Sequence, residues 1–225
     1  MIRVHVICEG QTEEMFVNEE LAEAFWSKGI DLRPALVGKP GYKGGKFKFE
    51  RLLTDLKIRL LGDTTSYCTT FFDFYGLPED FPGKKAAKTE IQILNKANRL
   101  MNALVTRLER ELGKAPLQRF IPYVQMHEFE GLLFSNPHAL ANAISQPSLA
   151  LEFQTIRDAF NSPEEINDSR ITAPSKRIGK VFPRYDKVIH GSLASIDIGL
   201  GVIRRECRLF DDWLHRIEAI ASEKP

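Results

Sequence analysis

The sequence is poor in features that mark a specialised environment. Its three cysteines, Cys8, Cys68 and Cys207, are odd in number and none has CxxC spacing. Two fall in predicted inner strands, which argues against both a disulfide framework and a cysteine zinc site. No window approaches the roughly 18 apolar residues of a membrane span, and Ile2-Arg3-Val4-His5 follows Met1 without an apolar signal core. These absences fit a soluble, cytoplasmic protein with no membrane partner. An excess of one charge is also missing, since 31 Lys and Arg stand against 30 Asp and Glu for a formal net charge of +1. That balance excludes a generally basic nucleic-acid coat, so phosphate binding must come from local clusters. The absence of a Walker lysine loop and of a G-x-S-x-G elbow removes support for P-loop nucleotide hydrolysis and for serine hydrolysis.

What is present is an alternation of strands and helices. Ile2 to Cys8 is β-branched and apolar, and it leads through Glu9-Gly10 into a helix with the stripe Phe16, Val17, Leu21, Ala24 and Phe25, for which Thr12 is the expected cap. Leu32 to Val37 reads as a second strand and Phe49 to Leu61 as a second helix. Ser66 to Phe72 forms a third strand ending at Asp73. Thr89 with Gln92 suggests a capping box for a long helix that stops before Gly113, and Arg119 to Gln125 returns as a fourth strand. Crossover connections of this kind imply an α/β fold with a mainly parallel four-stranded sheet flanked by helices. From Asn136 the pattern is helical, with starts at Asn136-Pro137, Ser162-Pro163 and Ser175. The expected organisation is an α/β core over residues 1–135 and a helical extension over 136–225 that packs on it and contributes basic residues. Trp26 and Trp213 are expected in the core, and His190 at a helix end.

Three strand ends deliver acids: Glu9 after the first, Asp73 after the third, and Glu128 with Glu130 after the fourth. In an open parallel sheet, ligands bind beyond the carboxyl ends of the strands. Carboxylates gathered there repel unless a cation lies among them, and an all-oxygen set suits Mg²⁺ or Mn²⁺ better than Zn²⁺. If His127 to Glu130 is extended, Glu128 and Glu130 share one face; in a helix they lie about 200° apart and only one serves, Glu128 being preferred. A solvated turn carboxylate is the plain alternative for any one of them. Lys39 to Lys48 interleaves lysines, among them Lys43 and Lys46, with glycines in a form that can follow a phosphate backbone. Pro174-Ser175-Lys176-Arg177 places Lys176 and Arg177 at a helix N-terminus, where an anion is favoured and Lys176 can offset phosphorane-like charge. Tyr75 and Tyr185 are candidates for substrate contact.

Glu9-Gly10-x-Thr12-Glu13 after a first strand, with an Asp ending a later one, resembles the Toprim domain of topoisomerases, primases and nucleases. Adding Phe72 to Leu77, His127 to Phe134 and Pro174 to Arg177, the chain looks more closely like an uncharacterised bacterial Toprim-like family. That family, a domain of unknown function, is related to the overcoming-lysogenization-defect nucleases. The resemblance implies Glu9 as general acid or base, Asp73 as a metal ligand and the later acids completing the site. It also implies pairing with an ATPase partner in phage defence. One position departs from the Toprim Asp-x-Asp signature, because Tyr75 stands where its second Asp would be. The expected function is Mg²⁺- or Mn²⁺-dependent phosphodiester hydrolysis of DNA or RNA, with Lys43, Lys46 and Arg177 binding substrate and Lys176 assisting catalysis. The alternative is a catalytically impaired Toprim-like adaptor that binds nucleic acid or docks on an ATPase.

Overall fold

β-Branched and aromatic residues build three seven-residue strands, β1 (Ile2–Cys8), β2 (Ile30–Leu36) and β3 (Tyr67–Asp73). Two short ones, β4 (Phe120–Ile121) and β5 (Val124–Gln125), complete the sheet. The order is β2-β1-β3-β4, β5 also lies against β3, and every pairing is parallel. The computed structural model describes residues 1–38, 48–167 and 171–222. The expected α/β architecture with a parallel sheet flanked by helices is therefore present.

Alternation along the strands sends side chains to two cores. Val4, Val6, Cys8 and Phe71 meet Phe16, Val17, Leu21 and Phe25 on one face, together with Phe210, Trp213, Leu214 and Ile217 from the C-terminal helix Arg208–Ser222. Ile7, Cys68 and Phe72 meet Leu52, Leu56 and Leu60 of helix Phe49–Gly62 and Leu100, Leu104 and Leu108 of helix Ile93–Leu112 on the other. The chain leaves β1 toward β2 over one face and returns from β2 to β3 over the other. The winding thus reverses between β1 and β3, which makes their carboxyl ends a topological switch point, the usual ligand crevice of such a sheet.

The fourth strand is interrupted at Pro122-Tyr123, because proline has no N–H to give to the ladder. Side chains of β3 fill the gap. Thr69 Oγ1 donates to the Ile121 carbonyl at 2.6 Å, and Thr70 Oγ1 accepts the Tyr123 N–H at 3.1 Å and donates to its carbonyl at 2.8 Å. Thr69 Oγ1 also accepts the Trp213 indole N–H at 2.8 Å, and the indole stacks on Tyr123 at 4.3 Å.

Several local expectations need correction. Gly10, extended, is the N-cap of helix Gln11–Phe16, and the Glu13 carboxylate reaches back to the Gly10 N–H at 2.9 Å, so Thr12 lies inside the first turn and does not cap. Helix Ile93–Leu112 begins after Gln92 with no side-chain cap, since the Thr89 hydroxyl turns back to the Ala86 carbonyl. Helix Pro174–Val181 starts after Ala173, which places Ser175 within it. His190 sits inside helix Lys187–Ile198, where Asp186 is the cap and accepts the Ile189 N–H at 2.8 Å. Trp213 is buried as expected, whereas Trp26 is 60% exposed: one residue beyond Phe25 turns it about 100° off the apolar stripe. Asn136 caps helix Pro137–Ala143 through the Ala139 N–H, as its Asn-Pro start predicts.

Replacing Thr69 by valine keeps the shape but removes the bond to the Ile121 carbonyl and leaves the Trp213 N–H buried without the hydroxyl it donates to. The expected loss is about 2 kcal/mol or more in urea unfolding; a change below about 0.5 kcal/mol, the level of a neutral surface substitution, would show that the hydroxyl does not hold the strand break.

Candidate functional site

Glu9 follows the last residue of β1, and its carboxylate reaches across to β3, where Oε2 accepts the Asp73 N–H at 3.1 Å. The chain folds back at once beyond Asp73, with the Gly76 and Leu77 N–H groups both on the Asp73 carbonyl. Gly76 is required by space: a Cβ there would lie 1.9 Å from Glu9 Oε1. Asp73 Oδ1 in turn accepts the Phe129 N–H at 2.8 Å, which ties the end of β3 to the segment after β5. That segment turns at His127, a non-glycine residue with φ of 69°. Phe129 is already helical and Glu130 opens helix Glu130–Leu133. Glu128 and Glu130 therefore diverge rather than share an extended face. Glu128 Oε2 accepts the Ser175 N–H at 3.0 Å, while Glu130, 1% exposed, meets the Lys187 ammonium at 3.0 Å.

Five carboxylates, those of Glu9, Glu13, Asp73, Glu128 and Glu130, thus cluster at the switch point closely enough to act on one another. Burial pushes Glu9 up to about 7, against the Asp73 N–H, Lys187 and Lys84. Burial also pushes Glu13 up to about 7, reinforced by Glu9 and Glu130. Asp73 is raised well above the usual carboxylate range by burial and then by Glu13 and Glu9, and Glu130 is raised by burial with Lys187 opposing. Lys187 responds in kind: burial lowers it, but Glu130, Asp73 and Glu128 together hold it above its ordinary value. Lys84, fully buried, bonds to the Leu77 carbonyl and stands 3.8 Å from Glu79. Among the described residues, the cluster is short of positive charge.

An all-oxygen, buried and mutually repelling set is chemically suited to a hard divalent cation. Among the described residues, however, no group of three or more His, Cys, Asp or Glu side chains is already set out as a metal cage. The oxygens are instead turned to backbone N–H groups and to Lys187. The donor chemistry suits Mg²⁺ or Mn²⁺, and Glu9, Asp73, Glu128 and Glu130 are the side chains that would have to turn to hold it.

The sheet edge brings together the four acids predicted from sequence, but not the basic residues. Lys176 is exposed, and among the described residues no ion pair links it to the acids. Arg177 donates to the Thr172 carbonyl at 2.7 Å and covers the Phe160 ring at 5.1 Å. Lys43 and Lys46 lie outside the described residues. Sequence reasoning missed Lys187, Glu13 and the role of Gly76. Lys187 carried a readable signal, a basic residue directly after a helix-capping Asp186, at the end of the helix where positive charge is disfavoured.

A model of the family described as "Domain of unknown function (DUF4276)" matches residues 8–218. The chain belongs to this family. No curated protein and no solved structure matches it. The DUF4276 match takes in all five acids, Gly76 and Lys187, and it extends into the C-terminal helix that covers the sheet.

Acids raised from about 4.5 to about 7 favour the fold below the unfolded value, and that contribution is lost as pH rises through the folded value. The DUF4276 chain, freed of divalent ions, should therefore lose stability between these limits. Glu13→Gln should remove part of the loss, on the order of 1 kcal/mol. Melting temperature against pH checks this; a Glu13→Gln curve parallel to the wild-type curve would mean that Glu13 is not strained by its neighbours.

Proposed function

We propose that the protein is a metal-dependent phosphodiesterase acting on DNA or RNA, with a Toprim-like site related to that of the overcoming-lysogenization-defect nucleases. The observation that carries this reading is the Glu9 carboxylate lying against the backbone of Asp73 at the switch point, within a cluster of five under-compensated acids. Asp73 with Glu128 or Glu130 holds Mg²⁺ or Mn²⁺, and Glu9 manages a proton or shares the ion. A cation held there would supply polarisation of a phosphoryl oxygen and a stronger water nucleophile at neutral pH. Gly76 keeps the space in which Glu9 lies, and Ser175 holds Glu128 through its N–H. Lys187, half exposed with its ammonium already on Glu130, supplies positive charge beside the acids and takes the place first expected of Lys176. Lys176 and Arg177, with Lys43 and Lys46, serve the more distant phosphates. Pairing with an ATPase in phage defence belongs to the same proposal and rests on the resemblance alone.

The adaptor reading is favoured by one position. Tyr75 occupies the second Toprim acid site, where its ring packs on His127 at 5.8 Å and its N–H donates to the His127 carbonyl. A cleavage assay separates the two readings, using supercoiled plasmid, single-stranded DNA and total transfer RNA with Mn²⁺ or Mg²⁺. Metal-dependent cutting of one substrate, reduced by roughly a hundredfold or more in Glu9→Gln and in Asp73→Asn, is expected. Cutting that persists in both variants would remove the acids from the chemistry, and no cutting of any substrate would favour the adaptor.

A further inference from the structure

Beside the acid cluster lies a groove of about 960 Å³, within the ~300–1,000 Å³ typical of small-ligand sites. It opens next to the acids because Tyr75, in its wall, immediately precedes the Gly76 that packs on Glu9. Tyr75 is the partly exposed ring of that wall, with the buried Phe74 and His127 rings packed on it at 6.1 and 5.8 Å. Ile91 stands on the rim, 98% exposed, an apolar side chain with no place in either core.

Two of the groove's charges have no ion-pair partner among the described residues, Lys96 and Glu165. Lys88 pairs with Glu79 at 2.5 Å, Glu90 pairs with Arg99 at 2.5 Å, and Glu165 accepts from Asn161. Lys96 has no carboxylate partner among the described residues; its ammonium lies 5.7 Å over the Phe74 ring, and burial lowers its pKa with no acid opposing. One uncompensated cation suits a single phosphate group rather than a polyanionic track. A second polar group is also unpaired. His127 is 5% exposed and its Nδ1 is buried without a hydrogen-bond partner, on a backbone held in the left-handed region that non-glycine residues rarely adopt.

We propose that this groove receives one unstacked nucleotide of a single-stranded nucleic acid, with its base on the Tyr75 ring and its phosphate on Lys96. The inference rests on the phosphodiesterase reading and deepens it. A base inside a duplex enters a side pocket only after it is unstacked and unpaired at a cost, so single-stranded or locally unpaired substrate is favoured. Aromatic stacking tolerates every base, which implies little sequence preference.

Fluorescence anisotropy in EDTA, where cleavage is blocked, tests this with labelled oligothymidylate, oligouridylate and a duplex of equal length. Wild type should bind a single strand about tenfold or more tightly than duplex. Lys96→Met, which keeps the aliphatic stem, should weaken single-strand binding about fivefold and lower the salt slope by about one, while Lys96→Arg retains both. An unchanged melting temperature for Lys96→Met confirms that the loss is not one of folding, since the ammonium has no ion partner to lose. Duplex bound as tightly as single strand, or Lys96→Met binding like wild type, would overturn the groove assignment. Metal-dependent cleavage together with wild-type binding by Lys96→Met would overturn the groove alone. Binding as expected with no cleavage by any metal would leave the groove and remove the phosphodiesterase reading.

Discussion

Negative charge gathered in a buried place with too few cations is the constraint on which the rest of this site depends. Glu9, Glu13, Asp73, Glu128 and Glu130 face one another with Lys187 as their direct ion-pair partner, and the burial that raises Glu9, Glu13, Asp73 and Glu130 is costly to the fold. Such an arrangement is typical of functional sites, where stability is given up to keep groups ready for a ligand. The neighbouring structure holds the acids in place. Gly76 leaves room for Glu9, the Phe129 N–H fixes Asp73, the Ser175 N–H fixes Glu128, and Gly10 receives Glu13.

The fold brings these pieces together by winding. Because helix 11–26 covers one face and helix Phe49–Gly62 the other, β1 and β3 are neighbours with their carboxyl ends open, and Glu9 and Asp73 emerge side by side. The later helices close the site from the first face. Helix Pro174–Val181 presents the Ser175 N–H, and helix Lys187–Ile198 packs against the Gln11–Phe16 segment and carries Lys187 to Glu130. The same geometry sets the groove beyond Tyr75 next to the acids, so that the proposed sites for chemistry and for positioning share one loop.

Much of this was legible in the sequence, because apolar periodicity reports burial directly. β1, β3 and the helix Phe49–Gly62 fall within a residue or two of their expected bounds, and the acids at strand ends follow from the alternation of strands and helices. The misses are of another kind. Thr12 reads as a cap from its residue type, yet the longer Glu13 side chain satisfies the Gly10 N–H, a competition that spacing does not reveal. Lys187 pairs with an acid 57 residues away, and such a contact depends on how the last helices pack rather than on any local pattern. The fourth strand reads as unbroken from Arg119 to Gln125, yet Pro122 interrupts it, and the repair by Thr69 and Thr70 comes from across the sheet.

The most direct measurement is the melting temperature of wild type and Asp73→Asn at about pH 8, with Mn²⁺ and with EDTA. If the acids are waiting for a cation, Mn²⁺ at about a hundred times its dissociation constant adds about 2.7 kcal/mol to the wild type. Its melting temperature then rises by several degrees. Asp73→Asn, with one carboxylate fewer, starts above the wild type in EDTA and gains little from the ion. A wild type indifferent to Mn²⁺, or a variant stabilised as much as the wild type, would contradict a cation site built on Asp73.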